Sequence, residues 1–412
     1  MVKNKNQQDE ERLERRLKIL ENKYNDNLFS DSGIDLPEEI KKPESIELPE
    51  VLDVEKVIKP KIKPSKPLIK KIIDKSPLIK KSNLQGTDVK KPSPAEIKKI
   101  AEIIGRIKKE MSIVIKGQEE IVNGLIMGLL CNAHVLVEGV PGIAKTLAIR
   151  ALAAASGCSV KRIQFTVDML PTDIIGITNY TPEKGFEIIK GPIFANFLIA
   201  DEINRAPPKT QSALIEGMQE KQVTIGRKQF HLPDPFFVMA TENPIENAGV
   251  YPLPEAQIDR FLFKVVMGYP KRDVEKEVME TNISLRKFES FGLKPVTNPK
   301  EIIKMQDIVK KVYLDDSIKD YILSIVRKTR TRDFSKSEFI SYGSSPRASI
   351  GLFIASKARA LMEGRNYVLP EDVKYVVFDV MRHRLILSYK ATIQKISPDA
   401  LIKEILDSVK VA

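Results

Sequence analysis

Apolar residues in the middle of the chain form short runs separated by segments of helical spacing. Five of these runs are rich in β-branched and aromatic residues, namely HVLVEG, RIQFT, NFLIADE, FFVMAT and FLFKVVM. Strands that alternate with helices of this length are typical of a parallel sheet covered by helices on both faces. We therefore predict an α/β domain over residues 96–270.

The pattern changes after Gly268-Tyr269-Pro270, where the β-branched runs stop. Residues 271–412 keep apolar residues at helical spacing, with breaks near Asn298-Pro299 and Gly343–Pro346. This pattern predicts a second, smaller domain that is all-α.

Residues 1–95 show neither pattern. They contain only two aromatic residues, Tyr24 and Phe29, and are dense in Lys, Glu, Pro and Ser. Such a segment cannot bury enough apolar surface to offset its chain entropy, so we predict a disordered tail. The block Pro-Leu-Ile-Lys-Lys occurs at 67–71 and again at 77–81. It is either a docking motif or basic patch, or merely a lysine-rich linker, and both interpretations stay open.

Composition and charge narrow the class of protein but do not identify a binding partner. The net charge of +12 is unevenly spread, since acidic residues dominate at 31–55 and lysines from 56 onward. No apolar run reaches the ~18 residues of a membrane span, and the N-terminus lacks the apolar region of a secretory signal. We therefore predict a cytoplasmic protein with no membrane span. Three His and two Cys, none in ligand spacing, give no indication of a zinc site.

The strongest chemical signal follows the first predicted strand. A glycine-bearing loop runs directly into a helix, and it consists of Gly139, Val140, Pro141, Gly142, Ile143, Ala144, Lys145 and Thr146. Strand, loop, Lys-Thr and helix is the order of a P-loop, whose backbone amides and helix dipole bind phosphate. We predict that this loop binds ATP, with Lys145 reaching the β- and γ-phosphates and Thr146 holding Mg²⁺. Ala144 replaces the usual glycine before the lysine.

Polar side chains end the third and fourth of the five apolar runs. Asp201 and Glu202 follow the run 197–200, and their proximity to a P-loop predicts a division of labour. Asp201 would complete the magnesium shell, and Glu202 would polarise the attacking water. Asn243 follows the run FFVMAT and could orient that water, although an Asn before Pro is more often a turn residue.

Seven motifs in this order together resemble one known family. They are GVPGIAKT, FTVDMLPTD, GPIFAN, DEINRAPPKTQSAL, ATENP, YPLPEAQIDRF and YGSSPRA. The series closely resembles the MoxR family of AAA+ ATPases over roughly residues 96–412. The resemblance implies a P-loop AAA+ core followed by an all-α lid domain. This chain departs from the family at Val167, where Pro is more frequent, and at Glu242, where Gln is usual. Glu242 would add negative charge close to the site.

The resemblance also implies roles for single residues. Asn243 would be sensor 1, Arg260 the arginine finger inserted into a neighbouring subunit's site, and Arg347 sensor 2 of the lid. Lys116 and Gly117 would line the adenine pocket.

Two hairpins are implied as well, and they would line a ring pore or a partner face. One would lie within 165–190, and the other would be QVTIGRKQFHL with Gly226 in its turn.

A finger that acts in trans implies a ring of identical subunits, most simply a hexamer. Members of the family are similar to chaperone-like proteins that remodel or activate other proteins, often with a von Willebrand A domain partner. A chelatase-type motor subunit is the nearest alternative. A nucleic-acid-dependent motor is another, but no recognition helix or base-stacking cluster stands out, so nucleic acid is not the predicted partner. A non-enzymatic scaffold is disfavoured because Glu202, Asn243 and Arg260 are all present.

Overall fold

The structure is a computed structural model of the 412-residue chain. Contacts divide the chain into two units, 1–83 and 84–412, and every residue described below belongs to the second. The described residues are 92–140, 145–243, 249–281, 288–331 and 333–410. The predicted tail therefore lies outside the described residues, apart from its last four positions. The loop 141–144 lies outside them too.

The first described helix, α1, spans Pro94–Ser112. Ser93 caps it: its hydroxyl accepts from the backbone N–H of Glu96, and the Glu96 carboxylate accepts from the Ser93 backbone. This reciprocal cap satisfies two of the backbone donors that a helix start leaves unpaired. Proline at the first helical position adds a preset φ. The first described helix thus begins at the composition change near residue 94.

The α/β domain alternates helices and strands, as the sequence predicts. After α1 its elements are α2 Glu119–Leu130, β1 Val135–Gly139, α3 Lys145–Ser156, β2 Val160–Gln164, α4 Pro171–Ile175, β3 Gly176–Thr181, β4 Gly185–Lys190, β5 Phe197–Asp201, α5 Pro208–Glu220, β6 Gln222–Ile225, β7 Lys228–His231, β8 Phe237–Glu242, α6 Glu255–Ile258 and β9 Phe263–Met267. The five predicted sheet strands are β1, β2, β5, β8 and β9.

These five strands form one parallel sheet in the order β2-β5-β8-β1-β9. Leu136 of β1 pairs with Ala240 of β8, which in turn pairs with Ala200 of β5. Because all strands run the same way, their carboxyl ends meet along one edge, where Gly139, Asp201 and Glu242 lie. Ligands of open α/β sheets bind at this edge.

Alternate residues of the strands enter two separate cores. Val135 and Val137 join a large apolar cluster with α1, α2, α3 and the helices after the sheet. Leu136 joins the other cluster, which is closed by Leu214 and Met218 of α5. A strand buried on both faces carries a continuous apolar run, which is why the sequence signal was strong.

Two antiparallel hairpins project from this domain at the predicted places. β3 pairs with β4 directly after the single-turn helix α4, and β6 pairs with β7. Gly226 has a φ of +61°, a left-handed value that glycine adopts without steric cost. At the end of the first hairpin, the rings of Tyr180 and Phe186 pack at an angle with their centroids 5.1 Å apart, and both are largely exposed.

The remaining elements are mainly helical. They are α7 Arg272–Thr281, α8 Pro299–Lys311, α9 Asp316–Lys328, β10 Ile340–Tyr342, α10 Pro346–Met362, α11 Pro370–Met381, β11 Ile386–Leu387, α12 Tyr389–Ile393 and α13 Pro398–Ser408. Asn298 caps α8 and Ser345 caps α10, at the two predicted breaks. The structure departs from the all-α prediction at one place, where β10 and β11 form a short antiparallel pair. Strands of three and two residues are too short to leave a periodicity in the sequence.

Candidate functional site

Lys145 lies at the carboxyl edge of the sheet, at the first residue of α3. Its ammonium donates to the backbone oxygen of Gly139 at 2.6 Å and to that of Glu242 at 3.3 Å. Gly139 ends β1 and Glu242 ends β8, so the lysine bridges two neighbouring strand ends. Val140 follows and packs half-buried against the large core. The predicted phosphate-binding residues Pro141, Gly142, Ile143 and Ala144 lie outside the described residues.

Thr146 and Asp201 come together as the sequence predicts. The Thr146 hydroxyl donates to Asp201 Oδ2 at 3.3 Å, and the Thr241 hydroxyl donates to Asp201 Oδ1 at 2.6 Å. Arg162 of β2 adds donors to Oδ2 at 3.1 and 2.7 Å. Hydroxyl and carboxylate oxygens are the hard donors that Mg²⁺ prefers, so this set fits the ion. Sequence reasoning missed Thr241 and Arg162, whose only signal is their place on strands beside β5.

Glu202 occupies a strained backbone position beside Asp201. Its φ of +56° lies in the left-handed region, which non-glycine residues rarely adopt and which is frequent at functional sites. Its backbone N–H donates to the Thr241 hydroxyl at 2.9 Å. Its carboxylate accepts from Gln164 at 2.8 Å and pairs with Arg205 at 3.3 Å. Glu202 and Asp201 thus have different direct side-chain partners, and Arg162 links the two sets because it also donates to Gln164 at 2.6 Å.

Thr241 is thus bonded to both acidic residues, and Thr241→Val tests how much this matters. The variant keeps the shape but leaves the Glu202 N–H and one Asp201 oxygen without a partner. We expect the free energy of unfolding to fall by about 1–3 kcal/mol. We also expect ATP turnover to fall more than ATP affinity, measured by steady-state kinetics and a fluorescent nucleotide. Thr224→Val, an exposed threonine of β6, is the control. Unchanged turnover in Thr241→Val would contradict the positioning role.

Asn243 follows β8 directly and is 5% exposed. Since β8 lies between β1 and β5, its end lies between the strand ends that carry Lys145 and Glu202. The structure therefore brings the predicted sensor 1 residue to the same edge as the two acidic residues.

Glu242, one of the two departures from the family pattern, is not an unpaired charge. Lys264 of β9 lies between two carboxylates, 2.5 Å from Glu138 Oε2 and 3.7 Å from Glu242 Oε2. Burial raises the pKa of Glu242, while the Lys264 ammonium acts in the opposite direction. Lys264 of β9, the strand on the far side of β1, thus offsets part of the negative charge that Glu242 adds at this edge.

The predicted adenine-pocket residues contact the helix that follows the sheet. Lys116 pairs with Glu277 of α7 at 3.1 Å. Gly117 has a φ of +63°, and a Cβ there would lie 2.4 Å from a methyl group of Val274. A cavity of about 490 Å³ beside them is lined by residues of α1 and α2, including Asn123. These contacts join Lys116 and Gly117 to α7, and their role toward adenine stays a prediction.

Arg260 lies at the opposite edge of the sheet from Lys145. It precedes β9, whose first residue, Phe263, pairs with Val135 at the start of β1. A five-residue strand spans roughly 15 Å at ~3.3 Å per residue, so Arg260 and Gly139 are separated by the length of β1. Among the described residues Arg260 forms no ion pair, and its buried Nε has no hydrogen-bond partner.

Arg347 lies beside Arg260 rather than beside Lys145. Its Nη1 approaches Asp259 Oδ2 at 3.5 Å, and Asp259 also accepts from the Ser345 hydroxyl. The side chain is 46% exposed. The six predicted catalytic and metal residues thus form two groups: four at the carboxyl edge, and the two arginines at the amino edge.

Comparisons with known proteins agree with this geometry. The model of the ATPase family associated with various cellular activities (AAA) matches residues 134–263, and that of the AAA lid domain matches 333–405. Chaperone MoxR1 of Mycobacterium tuberculosis is 44% identical over 310 residues, which cover 73% of this chain and 80% of that protein. YeaC of Bacillus subtilis is also 44% identical over 310 residues, covering 75% of this chain and 95% of that protein.

A solved structure supports the same assignment. A crystal structure from Cytophaga hutchinsonii aligns with a TM-score of 0.72 at 41% identity, covering 77% of this chain and 97% of that one. Within the part of the chain that the structure describes, no helix is long and apolar enough to cross a bilayer. The P-loop lysine, the paired carboxylates and the helical lid are those of an enzyme that binds and hydrolyses ATP. This chain belongs to the MoxR family of AAA+ ATPases.

Proposed function

We propose that this ATPase is an Mg-ATP-driven, chaperone-like remodeller or activator of protein complexes that works as a homo-oligomeric ring. The observation that carries the proposal is the separation of Arg260 from Lys145 by the length of β1. A separation of this size favours a site that a second subunit completes, since a single chain would have to bring both side chains to one phosphate. The name of the relative from M. tuberculosis, a chaperone, supports the wider role.

The residues at the carboxyl edge divide the work of hydrolysis. Lys145 binds the β- and γ-phosphates, and Thr146 with Asp201 would hold Mg²⁺, the second cofactor of the proposal. When bound, Mg²⁺ supplies positive charge beside the phosphates. Glu202 accepts a proton from the attacking water, and the buried Asn243 amide orients that water.

The arginines at the amino edge act on a neighbour. Arg260 stabilises the charge that develops on the neighbour's γ-phosphate, as arginine fingers do. Arg347 contacts Asp259, the residue before Arg260, so it enters the same boundary between subunits. A closed ring, most simply a hexamer, gives every site its finger.

The exposed tip of the first hairpin is the proposed client contact. Tyr180 is 60% exposed and Phe186 is 79% exposed, although large apolar side chains are usually buried. In the proposed ring, the hairpins of neighbouring subunits would together line the pore or a partner face. A von Willebrand A domain protein is the partner class we propose.

The experiment that tests the remodelling role uses the Glu202→Gln variant as a trap. In ATP it is expected to retain a client protein, and in ADP it is expected to release it. Tyr180→Ser with Phe186→Ser should abolish retention while basal ATPase activity stays within about 2-fold, since both side chains are exposed on a hairpin that supplies none of the described nucleotide-site residues. The matched control, Tyr269→Ser with Tyr389→Ser, removes two equally exposed aromatics elsewhere. The proposal is contradicted if the client is retained equally in ATP and in ADP, or if it is still retained after the hairpin aromatics are replaced.

A further inference from the structure

Arg384 is a buried arginine of the lid whose every donor is used. Its side chain is 3% exposed, and a guanidinium carries five N–H donors in a fixed plane. The acceptors are Asp259 Oδ1 at 2.8 Å and the backbone oxygens of Asp259 at 3.1 Å, Phe261 at 2.6 Å, Leu262 at 3.1 Å and Val380. Four of the five bonds go to residues 259–262. The lid therefore forms hydrogen bonds to the backbone on both sides of Arg260.

The two residues before Arg384 contact the same segment. His383 Nε2 lies 3.1 Å from the Phe261 oxygen, and burial holds the pKa of His383 well below its ordinary value. A neutral imidazole can donate to a carbonyl only from its protonated nitrogen, so Nε2 carries the proton. Arg382 Nη1 donates to the Lys264 oxygen at 2.7 Å. Three consecutive side chains of one short turn, 382–384, thus bind carbonyls from 259 to 264.

The chemistry of this contact requires arginine. Buried backbone carbonyls need partners, and a planar guanidinium can serve several at once with little loss of rotamer freedom. Lysine offers three donors from a single point and cannot reach the same set. Asp259 supplies the negative charge that makes burial of Arg384 tolerable.

Asp259 joins a second part of the lid to the same segment. Its carboxylate accepts from Ser345 at 2.9 Å and pairs with Arg347 at 3.5 Å, both at the start of α10. Helix α10 also packs closely here, because a Cβ on Gly351 would lie 3.1 Å from Leu262 Cδ1. The residue before Arg260 is therefore held from two lid elements at once.

We propose that the turn 382–384, and Arg384 above all, is a positioning device that couples the lid to Arg260. A lid movement on one subunit then changes the arginine that this subunit offers to its neighbour, rather than its own phosphate site. The inference rests on the proposed role of Arg260 in trans. It deepens that role by naming the residues that set the geometry of the finger.

The test uses mixed rings, because they separate the two sites of one subunit. Lys145→Ala subunits cannot bind ATP but can offer Arg260, whereas Arg260→Ala subunits bind ATP but offer no finger. Adding Arg384→Lys to the Lys145→Ala subunit should lower its rescue of Arg260→Ala subunits by about 10- to 100-fold, since misplacement by ~1 Å can cost that much. In the reverse mixture, Arg384→Lys subunits should hydrolyse ATP normally when Lys145→Ala subunits supply intact fingers.

The control is Arg365→Lys, another lid arginine in a bidentate pair, with Asp372 at 2.6 and 2.8 Å, that makes no contact with 259–264. In the Lys145→Ala background it should rescue Arg260→Ala subunits as well as Lys145→Ala alone does.

Equal loss of turnover in both mixtures for Arg384→Lys would overturn the proposal and indicate a merely structural residue. Should Arg384→Lys fail to assemble by size-exclusion chromatography, Asp259→Asn keeps the shape and an oxygen for Arg384. It should show the same one-directional defect, and a symmetrical defect would overturn the proposal. Normal turnover of Arg260→Ala alone would overturn this proposal and the trans finger together, whereas intact rescue by Arg384→Lys would overturn this one only.

Discussion

Glu202→Gln is expected to bind ATP with near-normal affinity and to lower turnover by about 10²- to 10⁴-fold, the usual contribution of a general base. The glutamine keeps an oxygen for the Gln164 amide and the same backbone turn, but it cannot accept a proton from water. Lys145, Thr146 and Asp201 are unchanged, so phosphate binding should persist. Single-turnover hydrolysis and a fluorescent ATP analogue measure the two quantities separately.

Glu216→Gln is the matched control for this variant. Glu216 is an exposed carboxylate of α5, and its loss should leave turnover within about 2-fold. Ordinary turnover in Glu202→Gln would remove Glu202 as the base, and the other carboxylate of this edge, Asp201, would then need testing in that role.

Arg260→Ala is expected to lower turnover by about 10³-fold or more, the range measured for arginine fingers. The physical reason is that negative charge develops on the γ-phosphate bound by the neighbouring subunit, and the variant removes the guanidinium that would stabilise it. Arg260 is well suited to this role, because it forms no ion pair among the described residues of its own chain. Stability should change little, since no carboxylate is left unpaired. Turnover is measured at protein concentrations above that at which the ring forms.

Mixing identifies the direction of action. Arg260→Ala subunits should regain turnover when Lys145→Ala subunits are added, although neither variant hydrolyses ATP alone. Arg106→Ala, an exposed arginine of α1, should behave as the parent in the same assay. Absence of rescue in mixed rings would argue against a finger acting on a neighbour.

The sequence predicted much of the fold because this fold leaves strong local signals. Strands buried on both faces carry continuous apolar runs, so β1, β5 and β8 were evident from their residues. Caps were also local, since Ser93 and Ser345 each precede a proline. The strand pair β10–β11 was not predictable, because its two strands are very short and 44 residues apart in the chain.

The site was predicted less completely, and the missing part consists of contacts across strands. Lys145, Asp201, Glu202 and Asn243 follow strand ends and could be found from spacing. Their supporting side chains belong to other strands: Thr241 bonds both Asp201 and Glu202, and Gln164 bonds Glu202 as well. Such contacts depend on strand order, which a single sequence does not give.

The contacts of Arg384 could not be predicted from the sequence either, because they join residues even farther apart in the chain. Its carboxylate partner, Asp259, is 125 residues away in the chain. The resemblance to a family gave a role to Arg260 but none to the lid turn that holds it. Only the packing of the lid against β9 reveals that contact.

The position of Arg260 and Lys145 at opposite ends of β1 has a consequence for symmetry. An isologous dimer pairs one patch with the same patch of its partner, so it could complete both sites only if Lys145 and Arg260 lay within a single patch. If the two residues lie on different faces of the subunit, as the proposed ring requires, the productive contact is head-to-tail. Such contacts either close into a ring or continue as a helical filament. In an open arrangement the terminal subunit can bind ATP but receives no arginine finger. Under the proposed trans mechanism, closing the ring therefore makes this last site active.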